Sequence, residues 1–327
     1  MPVIVQSSYK APFLCSNLHI QTVVPTLFRK VKGVDYWRER IITPDGDFLD
    51  LDWSSVDSDR LAIVLHGLEG NSTRSYVTGM VKTLNQGAWD GLALNFRGCS
   101  GEPNRKLRMY HSGETGDLET VIEHVMLKNT KYSQIALVGF SLGGNLILKY
   151  LGERGRNLPS FIKAAVTFSV PCDLKSSSDR ISEWSNRLYL KRFLKMLHEK
   201  IKIKASMAPE KIDLKGYDKI RTLKEFDDRY TAPLHGFRDA YDYYEKASCR
   251  QFLPNISVPT LLINAADDPF LSADCYPYEE AEANPNLILE VPEHGGHVGF
   301  MAFNPKREYW SETRAVAFMN GGLLSKV

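Results

Sequence analysis

Gly139-Phe140-Ser141-Leu142-Gly143-Gly144 is the stretch that decides the fold of this chain. An apolar run typical of a buried strand, residues 135–138, precedes it, and a helix-like segment, 145–151, follows it. A serine between glycines at a strand-to-helix turn is a nucleophile elbow, in which the serine is strained and its close neighbours must be small. An ordinary glycine-rich turn is the alternative, but the flanking elements favour the elbow. We therefore predict that Ser141 is a nucleophile.

A serine hydroxyl needs a general base, and the base needs an acid that orients it. In folds with this elbow, the acid and then the histidine follow the serine along the chain, each after a strand. Asp267 and Asp268 follow one apolar run and are both candidates for the acid. His294 and His297 follow the next run. We predict His297 as the base, because the two glycines before it let the loop approach the elbow, and we expect His294 to hydrogen-bond within the loop.

Two backbone amides are predicted to hold the oxyanion that such a reaction forms. The first belongs to Leu142, which follows the nucleophile at a helix N-terminus. The second belongs to Leu68 in His66-Gly67-Leu68-Glu69-Gly70, a loop that follows another apolar run. Its glycines keep side chains away from a substrate carbonyl. We interpret His66 as a structural histidine that shapes this loop rather than as a catalytic group.

Apolar runs and the segments between them predict the architecture. Runs that are apolar on both faces indicate buried parallel strands, and helix-like segments such as 76–87 and 117–128 separate them. The runs are 61–65, 91–96, 135–139, 164–168, 260–264 and 287–291. Ahead of them, 37–43 and 48–53 flank an Asp-Gly turn, which indicates a hairpin. The pattern predicts an α/β fold with a mostly parallel, doubly wound sheet and an N-terminal antiparallel hairpin.

One long interval lacks strand-like runs. Residues 171–249 are predicted to form a helical cap inserted into a single domain of residues 1–327, with an amphipathic helix at 186–201. Within it, residues 171–225 hold 14 Lys and Arg against 8 Asp and Glu. A solvated helix face accounts for this surplus. The alternative is a lid that favours anionic substrates or makes peripheral contact with a membrane.

Composition excludes several classes of protein. The 327 residues carry 41 Lys and Arg against 39 Asp and Glu, and this balance argues against a nucleic-acid partner. There are five cysteines and no CxxC pair, no signal-peptide pattern and no apolar run approaching the roughly 18 residues of a membrane span. We therefore expect a cytoplasmic location and no transmembrane segment. Metal-ligand spacings, a Walker loop and a dinucleotide fingerprint are all missing from the sequence, so no cofactor or metal is predicted.

Several residues near the predicted strand ends are candidates to line the pocket, because strand-end loops face the site in such sheets. They are His66, Gly67, Arg97, Cys99, Phe140 and Phe270. Hydrogen-bonded loops without a role in binding are the alternative for the segments around Arg97 and Cys99. Cys99 is an alternative nucleophile, but it does not lie at a strand-to-helix elbow like that of Ser141.

These motifs together resemble the α/β-hydrolase superfamily and, within it, family four, a branch of predicted hydrolases and esterases. The resemblance covers nearly the whole chain. The matching segments are 16–22, 44–48, 66–70, 96–104, 110–115, 139–145, 225–228, 267–270 and 293–300. The family pattern selects Asp268 rather than Asp267 as the acid, so the resemblance implies a charge relay of Ser141, Asp268 and His297. It also implies carboxylic-ester hydrolysis, with some relatives acting on acylglycerols or phospholipids.

The sequence thus predicts a serine carboxylesterase that acts through an acyl-enzyme on a small-molecule ester or a lipid-like acyl substrate. Two alternatives remain open. A thioesterase or amidase would use the same three residues, and a catalytically silent binding protein would keep the fold alone.

Overall fold

The computed structural model describes residues 2–4, 6–128 and 131–321. The strands in these ranges form one nine-stranded sheet with the order β1-β9-β8-β7-β6-β4-β5-β3-β2. They are β1 (Val3–Ile4), β2 (Trp37–Ile42), β3 (Phe48–Ser54), β4 (Arg60–Leu65), β5 (Asp90–Asn95), β6 (Gln134–Phe140), β7 (Ile162–Phe168), β8 (Thr260–Ile263) and β9 (Leu287–Glu290). β2 and β3 pair antiparallel, as does β3 with β5, and the other pairs are parallel. The predicted hairpin and mostly parallel sheet are therefore confirmed.

Helices cover both faces of this sheet. Those in the described residues are α1 (Leu18–Phe28), α2 (Ser75–Gln86), α3 (Thr115–Lys128), α4 (Leu142–Arg154), α5 (Leu174–Ile181), α6 (Arg187–Met207), α7 (Leu223–Phe226), α8 (Ala232–His235), α9 (Ala240–Ala247), α10 (Tyr278–Ala283) and α11 (Trp310–Met319). Apolar residues of α3 and α4 pack on one face, and those of α2 and α11 pack on the other. The central strands are buried on both sides for this reason, which explains why they appear in the sequence as unbroken apolar runs.

The interval between β7 and β8 is helical and contains α5 to α9. Its own apolar cluster includes Leu197 and Ile201 of α6, packed with Tyr217 and Phe226. The amphipathic helix predicted at 186–201 exists and extends six residues further, to Met207. The boundaries 171–249 of a cap within one domain stay a prediction.

Parallel pairing brings the carboxyl ends of β4, β6, β8 and β9 to one edge of the sheet. Each of these strands is followed by a loop that carries one of the predicted site motifs. The topology therefore collects residues that are far apart in sequence at one place. Across the described ranges, every helix falls short of the length and apolarity that crossing a bilayer requires.

Candidate active site

Ser141 occupies the sharp turn between β6 and α4. Its backbone has φ 53° and ψ −118°, a strained conformation for a residue with a side chain. A Cβ on Gly139 would lie 2.7 Å from the Gly143 carbonyl oxygen, and one on Gly143 would lie 2.6 Å from the His66 carbonyl oxygen. Both positions therefore require glycine. The turn is fixed to the sheet by the Ser141 amide, which donates to the Phe168 carbonyl at 2.8 Å.

A chain of hydrogen bonds joins Ser141, His297 and Asp268. The Ser141 Oγ lies 3.0 Å from His297 Nε2, and His297 Nδ1 lies 2.9 Å and 3.1 Å from the two carboxylate oxygens of Asp268. Asp268 is buried and also accepts from the Phe270 amide at 2.9 Å. Nδ1–H therefore donates to the carboxylate, which leaves Nε2 free to accept the serine proton.

Asp267 and His294, the alternatives to these residues, lie beside the chain rather than in it. One Asp267 oxygen accepts from the Gly296 amide at 2.8 Å, and the other lies 3.5 Å from His294 Nδ1. Burial raises the pKa of the Asp267 carboxyl above its ordinary value. Asp267 thus holds the loop that carries His297 without contacting its imidazole.

The N-terminal helix also holds this loop. Thr22 Oγ1 accepts from the His297 amide at 3.0 Å, and the buried Gln21 accepts from the Met301 amide at 3.0 Å. On the other side, Ser169 Oγ accepts from the Val298 amide at 2.9 Å. These positioning residues were not predicted from the sequence. The match at 16–22 drew attention to α1, but no local pattern indicates a contact with a loop so distant in the chain.

The two amides predicted for the oxyanion lie next to the hydroxyl of the elbow. Leu68 and Leu142 line the same cavity as Ser141. Within the described parts of the chain, neither amide donates a hydrogen bond to another protein group. A Cβ on Gly67 would lie 3.2 Å from the Ser141 Cβ, a tight contact that a glycine avoids where the Leu68 loop approaches the elbow. Two unpaired donors beside a nucleophile suit a developing negative charge.

Tyr110 and Lys200 fix the Leu68 loop through Glu69. The Tyr110 hydroxyl accepts from the Glu69 amide at 2.8 Å and donates to the Glu69 carboxylate at 2.7 Å. Lys200 of α6 lies 3.0 Å from the same carboxylate. These contacts hold Glu69 at φ 54° and connect the loop to the helical insertion.

His66 is completely buried below the loop. Its Nε2 accepts from the Phe96 amide at 3.2 Å, so Nδ1–H donates to the Gly67 carbonyl at 2.7 Å. Burial lowers the pKa of His66 to about 3, which keeps the ring neutral. These contacts suit the structural role expected for this histidine.

Two cavities meet at Ser141 and His297. The first, of about 930 Å³, lies under the helical insertion, and the second, of about 980 Å³, lies between α1 and α6. Apolar and aromatic side chains supply much of both linings. They include Leu142, Leu197 and Phe226 in the first cavity, Val23, Tyr189 and Met196 in the second, and Phe193 and Phe270 in both.

The predicted pocket lining is only partly found in these cavities. Phe270 lines both, and Gly67 lines the second. His66, Phe140 and Arg97 are buried and line neither cavity. Arg97 instead forms ion pairs with three aspartates, Asp45, Asp47 and Asp117. Cys99 faces a separate groove and lies 2.8 Å from Lys200 Nζ. A position at a strand end does not by itself fix the direction of a side chain.

This fold, with a serine at the elbow and a histidine beside it, defines a hydrolase. The family model described as alpha/beta hydrolase fold matches residues 63–302, so the chain belongs to the α/β-hydrolase family. It is 39% identical to YheT of Escherichia coli (strain K12), a match that covers 91% of this chain and 89% of YheT. It is 32% identical to Phospholipase ABHD3 of Bos taurus, covering 92% of this chain and 74% of that protein.

Solved structures share the fold. The esterase Pf2001 of Pyrococcus furiosus superposes with a TM-score of 0.61 at 19% identity, over 90% of this chain and 96% of that one. The similarity in sequence to YheT and ABHD3 agrees with the match to the α/β-hydrolase family model.

Proposed function

We propose that this protein is a serine carboxylesterase that works through an acyl-enzyme. The observation that carries the proposal is the chain of hydrogen bonds from Ser141 through His297 to Asp268, at an elbow that opens into two apolar cavities. The three residue types, their order and their distances suit nucleophilic acyl transfer.

In the first half of the reaction, His297 Nε2 takes the hydroxyl proton while Ser141 Oγ attacks the ester carbonyl. Asp268 keeps the imidazole oriented and stabilises its cationic form. The amides of Leu142 and Leu68 hold the negative oxygen of the tetrahedral intermediate. His297 then gives the proton to the leaving alcohol. In the second half, His297 activates a water molecule, which attacks the acyl-enzyme and releases the acid.

The substrate is proposed to be a small ester or a lipid-like acyl compound. The apolar linings of both cavities favour such a molecule, and the relative from Bos taurus is named a phospholipase. We also propose a cytoplasmic location, because all five cysteines are free thiols, which is usual where thiols are kept reduced.

A fluorophosphonate probe and matched substrates test this function. Folded wild-type protein is expected to be labelled at Ser141, and Ser141→Ala is expected to abolish labelling. Side-by-side turnover of p-nitrophenyl, thioester and anilide substrates with the same acyl group should favour the oxygen ester. Exclusive turnover of the thioester or the anilide would replace the esterase by a thioesterase or an amidase. If folded protein is not labelled at all, the esterase proposal fails and the remaining alternative is a catalytically silent binding protein.

We further propose that the start of α6 contacts membranes peripherally. Trp184 and Leu188 are 77% and 75% exposed, and both are large apolar side chains. Lys191 and Lys195 follow Leu188 at helical spacing and are exposed as well. An apolar pair beside cations is typical of a surface that binds anionic lipid headgroups. We call these four residues the cap patch.

A further inference from the structure

The first cavity contains a carboxylate that the mechanism above does not use. Asp227 lines this cavity together with Ser141 and Phe226. It belongs to the segment 225–228, one of the matching motifs of the sequence analysis, and it begins a π-helical turn, Asp227–Thr231, between α7 and α8. Such turns occur often at functional sites.

The hydrogen bonds around Asp227 all come from neutral hydroxyl groups. Thr231 Oγ1 donates to one carboxylate oxygen at 2.6 Å, and the Tyr244 hydroxyl donates to the other at 2.7 Å. Because Tyr244 gives its only proton to Asp227, Ser178 donates to Tyr244 at 3.0 Å. Each carboxylate oxygen carries two lone pairs, so Asp227 keeps an acceptor position on each oxygen.

The carboxylate of Asp227 differs from that of its neighbour Asp228 in its ion pairing. In the described ranges, no Lys, Arg or His nitrogen lies within 4.0 Å of the Asp227 carboxylate, whereas the next residue, Asp228, pairs with Lys224 at 2.5 Å. Burial raises the pKa of Asp227 to about 6, so the group is still mostly ionised at neutral pH. Asp227 is half-buried, and a partly desolvated carboxylate without a cation is costly. Such costs are commonly kept where a ligand supplies the missing partner.

We propose that Asp227 determines specificity by accepting a hydrogen bond from a hydroxyl group of the substrate. The preferred substrates are then esters that carry a free hydroxyl on the part that fills the first cavity, away from the scissile bond. A hydroxyl suits the site better than an ammonium group, because the rest of the lining is largely apolar and a charged group would lose more hydration on entering. This proposal rests on the esterase function proposed above.

Asp228 provides a matched control for this role. Its carboxylate accepts from the Ala240 amide at 2.7 Å and pairs with Lys224, and it does not line the first cavity. It is therefore a structural neighbour of the same charge. Asp228→Asn is expected to leave the choice between substrates unchanged, whereas Asp227→Asn is expected to change it.

The test compares kcat/KM within pairs of esters that differ by one hydroxyl. One arm uses p-nitrophenyl hexanoate, octanoate and decanoate against their ω-hydroxy counterparts. The other arm uses hexyl, octyl and decyl butyrate against the monobutyrates of the corresponding α,ω-diols, because either side of the ester can enter the first cavity. Wild-type protein is expected to prefer the hydroxylated member by about tenfold or more for at least one length in one arm. Asp227→Asn is expected to remove most of that preference, and Asp228→Asn to keep it.

Equal or better turnover of the plain esters by wild-type protein, at every length and in both arms, would overturn the proposal even if Asp227→Asn did not fold. A preference that persists in folded Asp227→Asn would also overturn it. Failure of wild-type protein to hydrolyse any of these esters would remove the esterase function and this inference with it. Hydrolysis without a preference would remove only this inference.

Discussion

The backbone amide of His297 donates a hydrogen bond of 3.0 Å to the side chain of Thr22, 275 residues earlier in the chain. The same Thr22 hydroxyl donates to the Leu18 carbonyl at 2.7 Å, so its proton is engaged and its lone pair faces the histidine loop. A Cβ on the neighbouring Gly296 would lie 2.6 Å from the Leu18 carbonyl oxygen, which shows how closely helix and loop approach. The first helix thus positions the proposed general base.

Thr22→Val is therefore expected to lower kcat by about tenfold with little change in KM, because a small displacement of a base costs much of its effect. The variant keeps the shape of the side chain and leaves the His297 amide without a partner, at a cost of about 1–3 kcal/mol in folding free energy. Steady-state kinetics on a p-nitrophenyl ester measure the effect.

Thr120→Val is the matched control, because its hydroxyl makes the same bond to a carbonyl four residues earlier, at a partly exposed position of α3. Equal losses in both variants, or a loss confined to KM, would show that Thr22 does not position the base.

Substitutions at Asp268 and Asp267 distinguish the proposed orienting acid from its neighbour in the sequence. Asp268→Asn is expected to reduce kcat by about 10⁴-fold, because an amide does not stabilise the imidazolium and favours the wrong tautomer. Asp267→Asn is expected to cost less than about tenfold, since the amide oxygen still accepts from Gly296. Both are measured with one ester at one pH. A larger loss at position 267 than at 268 would reverse the assignment.

Local signals in the sequence were sufficient for the fold, and they singled out the candidate site motifs. The glycines of the elbow and the apolar runs are local, and the run predicted at 61–65 corresponds to β4 at Arg60–Leu65. Thr22 and Asp227 gave no such signal, because their roles depend on contacts between distant segments. The ion-pair partners of Arg97, a candidate for the pocket lining, lie in a hairpin turn and on α3 and are likewise distant in the sequence.

Tyr110 is expected to act on the oxyanion loop through its hydrogen bonds to Glu69. Tyr110→Phe removes both hydrogen bonds to Glu69, so the adjacent Leu68 amide loses its fixed position. We expect kcat to fall by about tenfold, which is less than the loss of a whole oxyanion donor, with KM nearly unchanged. Tyr132→Phe is the control, because it removes a similar buried hydroxyl bond, to Asp90, far from the site. A parallel fall in kcat for Tyr132→Phe would indicate a general loss of packing.

The cap patch predicts binding to anionic membranes. Trp184→Ala combined with Leu188→Ala is expected to weaken co-sedimentation with vesicles of phosphatidylserine and phosphatidylcholine by about tenfold or more, because both side chains would lose burial in the interface. Leu127→Ala removes another exposed leucine, 83% exposed on α3, and should have no effect. Wild-type protein that does not bind these vesicles at low salt would remove the proposed membrane contact.

His66 predicts how stability depends on pH. Burial lowers its pKa to about 3 in the folded protein, and burial likewise lowers the pKa of His235 to about 3, whereas an unfolded histidine titrates near about 6.5. Below about pH 6.5 the unfolded chain therefore binds protons that the folded chain does not, so the free energy of unfolding falls as the pH falls toward about 3.

Each histidine contributes at most about 1.4 kcal/mol per pH unit to this fall in the free energy of unfolding. Urea unfolding of His66→Gln between about pH 7 and 4 should show a shallower fall in the free energy of unfolding than wild type. Parallel slopes for wild type and His66→Gln would mean that His66 is not held neutral by the fold.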